Sequence, residues 1–451
     1  MTASPSDPAP LHDHALAKLF VDQHGSEIRY LAGRKRPSWY IKDGAIWRQD
    51  TLRRVEYRVR EFLSSLNGDG DLRLGGDRTI RAVLSQAGND PRITISYDAL
   101  DNDSHLLGTP GGIVDLRSGD FCDASSDPLV SKSTSVAPEF DAPPRAWRKF
   151  LKQITMNDEE LIRYLQTWCG YCLTGETADH AMLILYGSGR NGKSTFVEVL
   201  RDILAEYAKV PDRNLFVAGG RSAHFSATSH LIGARLVAVP EIEKGAVWNE
   251  SLLKSFTGGD TIDSKGMWAD QNDFRPSGKL VVGTNHLPNP KAVNKALVQR
   301  LQILELLFSA NDPDTSLRSR LEAEYPAILA WMIGGAKRFY RRFDKGKKGV
   351  KVPRPVLDTT ADYFAQFDYF NQWWVTFIVE SDKAATQSSE IASSFNAFLL
   401  EQGQQSWSSV EIGKSMSGKG YRAKSERVRG VQTRLHHGVR LRQKPNLEKK
   451  R

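Results

Sequence analysis

Three observations predict an α/β protein with a buried parallel sheet at its centre. Short apolar runs at 181–186, 235–240 and 279–283 are too brief for helices and rich in β-branched or aliphatic residues, the pattern of strands covered on both faces. Helical periodicity lies between them: Phe196, Val199, Leu200, Ile203 and Leu204 recur at 3.6-type spacing and predict a helix over 194–207. The first run and this helix are joined by a glycine-rich turn, GSGRNGKS at 187–194. Strand, glycine-rich turn and amphipathic helix in that order make a nucleotide-binding pattern.

The rest of the chain is organised around this block. A length of 451 residues suggests about three domains, and 40% hydrophobic with 25% charged residues is the balance of a globular protein. Residues 1–10, rich in Ser, Pro and Asp, form a tail without the basic-then-apolar layout of a signal peptide. A mixed α/β region follows at 11–144, with helices expected over 11–23 and 55–66 and strands over 39–47, 92–97 and 112–116. The run GTPGG at 108–112 is turn chemistry, because proline presets φ and glycine supplies φ > 0. Helices are expected over 147–154 and 158–173, and again at 316–325 and 327–343. The longest apolar stretch, 327–336, is about half of what a bilayer requires, so a soluble, cytoplasmic protein with no membrane contact is expected. The three cysteines exclude a disulfide framework and a four-cysteine zinc site. Cys169 and Cys172 have the spacing of a redox or metal pair, but their apolar helix and the lack of a second pair favour buried core thiols.

The turn satisfies G-x-x-x-x-G-K-[ST]. Gly187, Ser188, Gly189, Arg190, Asn191 and Gly192 would wrap backbone N–H groups around the phosphates of ATP, and the helix N-terminus adds positive potential. Lys193 would reach the β- and γ-phosphates, the Ser194 hydroxyl would ligate Mg²⁺, and Thr195 completes the ATP-binding run. Gly187, Gly189 and Gly192 also spell the dinucleotide fingerprint G-x-G-x-x-G. That rival requires a small or apolar residue where the helix begins and an acid ending the next strand; Lys193-Ser194 and the lack of a strand before Asp212 argue against it.

An ATPase of this type needs a carboxylate at the end of a neighbouring strand to hold Mg²⁺ and position the attacking water. The run LVAVPEIE at 236–243 offers Glu241 and Glu243; Glu241 is the first choice, and which acid meets the metal and which polarises water stays open. Asn285 ends the next strand, LVVGTN at 280–285, where an amide can orient water near the γ-phosphate or cap the following turn. Arg300 follows a predicted helix and is placed to reach a neighbouring subunit's nucleotide.

Together these residues resemble the superfamily 3 helicases, and more narrowly the helicase part of phage and plasmid primase–helicases and the poxvirus-type nucleoside triphosphatases. The resemblance is carried by YGSGRNGKST (186–195), GARLVAVPE (233–241), WNESLLK (248–254), TGGD (257–260) and FRP (274–276) running into VGTNHLP (282–288), in that order and spacing. LGTPGGIVDL (107–116) and residues 147–175 resemble the region that precedes the ATPase there, so the likeness covers about 20–310. It implies an AAA+ P-loop core at 179–345, a helical collar at 145–178, and a homo-hexameric ring with ATP between subunits. Arg300 would then act in trans as an arginine finger, and residues 257–275 would carry a β-hairpin into the central channel. There Lys265 is the DNA contact, Lys254 a weaker second, and Trp268 marks the hairpin tip or packs against a neighbour. Two departures stand out: Gln299 occupies a position where the family often has a second arginine, and LELLF at 304–308 replaces the usual Pro-Phe strand end. About 100 residues precede Leu107, too few for the primase domain of larger relatives. Primer synthesis is therefore not expected, and a separate primase or replication initiator would be a partner.

The net charge of +9 is unevenly placed. Residues 345–451 carry 19 Lys and Arg against 10 Asp and Glu, the preceding 344 balance at 43 each, and residues 412–451 carry 13 against 2. A neutral body with a basic end points to a polyanion. Within a last domain at 355–451, amphipathic helices over 388–402 and 408–416 precede an alternating basic stretch, 419–442, whose Val428, Val431, Leu435, Val439 and Leu441 suit a β-hairpin. Helix, helix and basic wing make a winged-helix arrangement, with Lys419, Arg422, Lys424 and Arg427 as DNA contacts. The leading expectation is an ATP-driven helicase moving on single-stranded DNA, at forked or origin DNA, in replication of a phage, plasmid or other mobile element. The alternatives are an origin-binding ATPase switch without processive unwinding, and an assembly protein with a degenerate ATPase.

Overall fold

A computed structural model describes residues 12–33, 37–66, 76–123, 126–219, 226–262, 274–291, 293–312 and 314–442. The chain divides into two compact units, residues 1–291 with 295–360, and residues 292–294 with 361–451.

The first unit opens with α1 (Asp13–His24), the meander β1 (Ile28–Ala32), β2 (Ser38–Asp43) and β3 (Ile46–Gln49), helices α2 (Arg54–Leu66) and α3 (Asp77–Ala87), and β4 (Thr94–Ser96). β4 returns parallel to β1, so the sheet order is β3-β2-β1-β4. The three helices close a core because each keeps its apolar residues on one face: Leu16 and Phe20, Val55 and Val59, Ile80 and Val83. A tight hairpin follows, β5 (Leu106–Thr109) and β6 (Gly112–Asp115), turning at Pro110-Gly111 within the GTPGG run.

Next come α4 (Arg145–Ile154), α5 (Glu159–Leu173), β7 (Met182–Tyr186), α6 (Lys193–Leu204), β8 (Ala208–Lys209), α7 (Ser226–Ser229), β9 (Leu236–Val239), α8 (Glu250–Gly258), β10 (Lys279–Thr284), α9 (Lys295–Val298), β11 (Leu301–Glu305), α10 (Leu317–Ala323) and α11 (Tyr325–Phe343). Strands β7 to β11 form one parallel sheet in the order β11-β7-β10-β9-β8. All four residues of β9 are buried, as are the first four of β7 and of β10, which is why these strands read as unbroken apolar runs.

Asp158 caps α5 by accepting from the N–H groups of Glu160 and Leu161. α5 then meets α11 almost backbone to backbone: a Cβ on Gly170 would lie 2.0 Å from the Ala336 nitrogen, and one on Gly335 would lie 1.9 Å from the Gln166 carbonyl oxygen. Helices α4, α5 and α11 and the sheet share one core, which joins Trp147 and Phe150 of α4, Trp168 of α5, Leu183 of β7, Phe196 of α6 and Met332 of α11. Cys169 and Cys172 are free thiols inside it, and burial pushes the Cys172 thiol up to about 12. Two buried cations have no counterpart in the sequence reading. Arg235 donates to the Leu173 and Leu106 carbonyls, and Lys279 to the Thr174 and Ser277 carbonyls, so the C-terminal end of α5 is held by positive charge.

α12 (Arg354–Ala365) spans the boundary between the units. The second unit comprises α13 (Tyr369–Phe377), β12 (Ile378–Gln387), α14 (Ser388–Glu401), α15 (Ser409–Gly418), β13 (Ala423–Val428) and β14 (Val431–Leu441). Its antiparallel sheet has the order β12-β14-β13. The hairpin turns at Arg429-Gly430, both at positive φ (49° and 83°), the condition for a type I′ turn that matches strand twist. β12 was not anticipated, because IVESDKAATQ has no clean alternation and its register slips between Glu380 and Ala385. Trp373, Ile391, Phe395, Leu399, Met416 and Val439 form the core. Among the described residues no helix is long and apolar enough to cross a membrane.

Candidate nucleotide site

The loop at 187–192 leaves the C-terminal edge of β7 and enters α6. Two of its glycines are required by geometry. Gly187 has φ 147°, and a Cβ there would lie 2.5 Å from Asn191 Nδ2 and 2.7 Å from the Leu306 carbonyl oxygen. Gly192 has φ 88°, and its Cβ would come within 2.8 Å of Phe150 and Ile154. Gly189 faces open space, with nothing within 4 Å of a Cβ. The folded loop therefore does not itself demand that glycine, whereas close approach of a ligand to the backbone would.

Lys193 is 6% exposed, and its ammonium donates to the Gly187 carbonyl (2.8 Å), the Ser188 carbonyl (3.0 Å) and Asn191 Oδ1 (2.7 Å). Burial lowers its pKa, and the Glu241 carboxylate pulls the other way. Asn191 in turn donates to the Leu306 carbonyl, so it ties the loop to the end of β11 while it positions the lysine. The motif marks Asn191 only as a filler residue; this role needs the fold.

A cleft of about 520 Å³ is lined by residues 189–195, Glu198, Arg201, Ala238 to Glu241, Gly283 and Asn285. Arg190, Asn191, Gly192, Lys193, Ser194, Thr195, Glu241 and Asn285 are thus brought together, although the acid strand is not the immediate neighbour of β7. β10 lies between β7 and β9, and Asn285 stands between the phosphate loop and the acid. The Asn285 backbone N–H donates to Glu241 Oε1 at 3.4 Å. Its side-chain Oδ1 is buried without a hydrogen-bond partner, a costly state unless something in the cleft satisfies it. Open space at Gly189, a buried ammonium met only by neutral oxygens and this orphaned oxygen fit an anionic ligand with associated water or metal. Glu198 and Arg201 join the cleft from exposed turns of α6, where the sequence carried no signal.

Other expected site residues lie elsewhere. Glu243 is exposed, outside the cleft, and faces Arg213 at 3.7 Å. Arg300 precedes β11, at the sheet edge opposite the phosphate loop, and donates to Thr257 Oγ1 (3.1 Å) and the Ala296 carbonyl (2.9 Å). It does not line the cleft of its own chain. Lys254 sits 3.4 Å from Glu250 one turn earlier on α8. Lys265 and Trp268 lie outside the described residues; the segment that holds them is entered and left at an antiparallel bridge between Ile262 and Phe274. In the second unit Lys419 donates to Asn371 Oδ1 and lies over Trp374, while Arg422, Lys424 and Arg427 are exposed.

Residues 17–156 match the family model described as D5 N terminal like, and residues 185–300 match a family of unknown function, DUF5906. A protein of Acanthamoeba polyphaga mimivirus named as a helicase (L207/L206) is 27% identical over 425 residues, covering 82% of this chain but 43% of that protein. The chain thus spans less than half of that relative. Apo structures of the NrS-1 C-terminal region share the fold, at TM-scores of 0.53 and 0.54 with 12% and 11% identity, over 94% of this chain and 98–99% of theirs. The chain is thus similar over residues 17–156 to D5 N terminal like sequences, over most of its length to a protein named as a helicase, and in fold to the NrS-1 C-terminal region.

Proposed function

We propose that the protein is an ATP-driven DNA helicase of the superfamily 3, AAA+ type, which works as a homo-hexameric ring on single-stranded DNA during replication of a mobile element. The observation that carries this reading is the single cleft in which Lys193, Ser194, Glu241 and Asn285 converge around a glycine loop. ATP with Mg²⁺ would supply the phosphoanhydride whose hydrolysis drives movement. The loop N–H groups and Lys193 bind and orient its phosphates, giving up the lysine's present bonds to the loop carbonyls. Ser194 and Glu241 would hold the metal, and the Asn285 amide would orient the attacking water. Arg300, outside the cleft of its own chain, would belong to the neighbouring subunit's site. The α-β-α-α-β-β order of the second unit supports a winged-helix module that places Lys419, Arg422, Lys424 and Arg427 on DNA phosphates.

The test is the ATP hydrolysis rate as single-stranded DNA is titrated in, with Lys193→Ala as blank. Several-fold stimulation absent from the blank is expected; no hydrolysis above the blank would sink the proposal. Subunits bearing Arg300→Ala mixed with subunits bearing Lys193→Ala should recover some turnover. Rings that form yet recover none at any ratio would remove the trans assignment. The second reading, an origin-binding switch without processive unwinding, draws on the exposed basic hairpin of the second unit. DNA-stimulated hydrolysis without displacement of a forked duplex would favour it.

A further inference from the structure

A second groove, of about 760 Å³, lies between α4, α5 and α11. Its chemistry follows from the pattern of α4. That helix buries Trp147, Phe150, Leu151 and Ile154, which turns Arg145, Arg148, Lys149 and Lys152 outward as one stripe along its length. Arg163 of α5 and Arg338 of α11 face the stripe, and Glu159 is the one acid in the lining.

Little of this charge is neutralised. Lys152 approaches Glu159 at 3.7 Å with both side chains exposed, and Arg338 donates to the neutral Gln166 Oε1 at 2.8 Å. Among the described residues Arg145, Arg148, Lys149 and Arg163 have no carboxylate partner. Arg338 is held below its ordinary pKa by burial and then by Arg163 and Arg341, so like charges already crowd this wall. The first 344 residues are neutral in sum, and the fold nevertheless gathers six cations here.

We infer that this groove is a phosphodiester-binding site that takes a single strand of nucleic acid along α4. The cations form a line about 10 Å long, at 1.5 Å per residue, which suits a linear polyanion better than a compact acidic patch. Four of the six cations are arginines, including both on the α5–α11 wall, and their forked guanidinium groups match phosphate oxygens. The groove, of about 760 Å³, has room for a backbone and its unstacked bases beside the stripe. The site shares no residue with the nucleotide cleft or the β13–β14 hairpin. It rests on the nucleic-acid reading above.

The experiment measures affinity of the full chain for an oligo(dT) strand against salt concentration, by fluorescence anisotropy. The variants are R148Q/K149Q/K152Q and the charge-keeping R148K/K149R/K152R, all at exposed positions. The glutamine variant is expected to bind about tenfold more weakly, with a salt slope flatter by about 2 (~0.7 per lost phosphate contact), and to keep its DNA-free ATP hydrolysis. The charge-keeping variant should bind like the parent. A glutamine variant with parental affinity and slope would overturn the site, provided the parent binds. An unchanged slope with a smaller assembly in light scattering would overturn it too, and make the groove a contact with an acidic face of another copy. A parent chain that binds no strand at all would fail the nucleic-acid reading itself, and the groove with it.

Discussion

In the nucleotide cleft Lys193 is nearly buried and bonded to three oxygens of its own loop, whereas Lys424 and Arg427 of the C-terminal hairpin stand exposed on a strand with no buried residue. The first cation works only in one geometry, and glycines at 187 and 192 are sterically obligatory to make that geometry. On the proposed function the second pair would act through summed, screened charge, which tolerates imprecise placement. A site built on geometry should fail at single residues; a site built on charge should erode by increments.

The largest expected effect sharpens the first half of that contrast. Lys193→Ala should lower steady-state ATP turnover by about 10² or more while DNA affinity through the second unit changes little. A parallel collapse of nucleotide-free DNA binding would break the separation. Glu241→Gln should cost turnover about 10²-fold, and Glu243→Gln, outside the cleft, should stay within about twofold. Equal losses would return Glu243 to the site. Stability offers a matched pair of glycines. Gly192→Ala combines φ 88° with a Cβ against Phe150 and Ile154, and should cost about 2–4 kcal/mol in urea unfolding. Gly430→Ala, at φ 83° with nothing within 4 Å, should cost about 1–2 kcal/mol. The smallest effect is expected from Lys424→Ala with Arg427→Ala, which should flatten the salt dependence of single-strand binding by about 1.4, or ~0.7 for each lost contact. Abolished binding from that pair would mean that the hairpin, too, depends on precise geometry.

Legibility followed the same division. The strands β7, β9 and β10 were readable because full burial leaves no polar residue to interrupt the run. β8, two residues long, and β12, polar and slipped in register, carry no periodicity to detect. The phosphate loop could be found by its spacing alone, yet nothing in that spacing says that Asn191 clamps Lys193 or that Glu198 and Arg201 enter the same cleft. Residues 236–243 offered two acids with Glu241 as first choice and their roles open; the chain's turn after Pro240 sends Glu241 toward Asn285 and Glu243 toward Arg213.

By itself the sequence determined the local chemistry: which segments bury, where the glycine-rich turn lies, and that the net positive charge falls at the C-terminal end. Those properties depend on residues within a few positions of one another. Tertiary structure decided everything that joins distant segments. It set β10 between the phosphate loop and the acid strand, put Arg300 at the far edge of the sheet, and assembled a cationic groove from three helices of a segment whose total charge is zero. Charge and hydrogen bonding act through space at a few ångströms, and only the fold sets those distances.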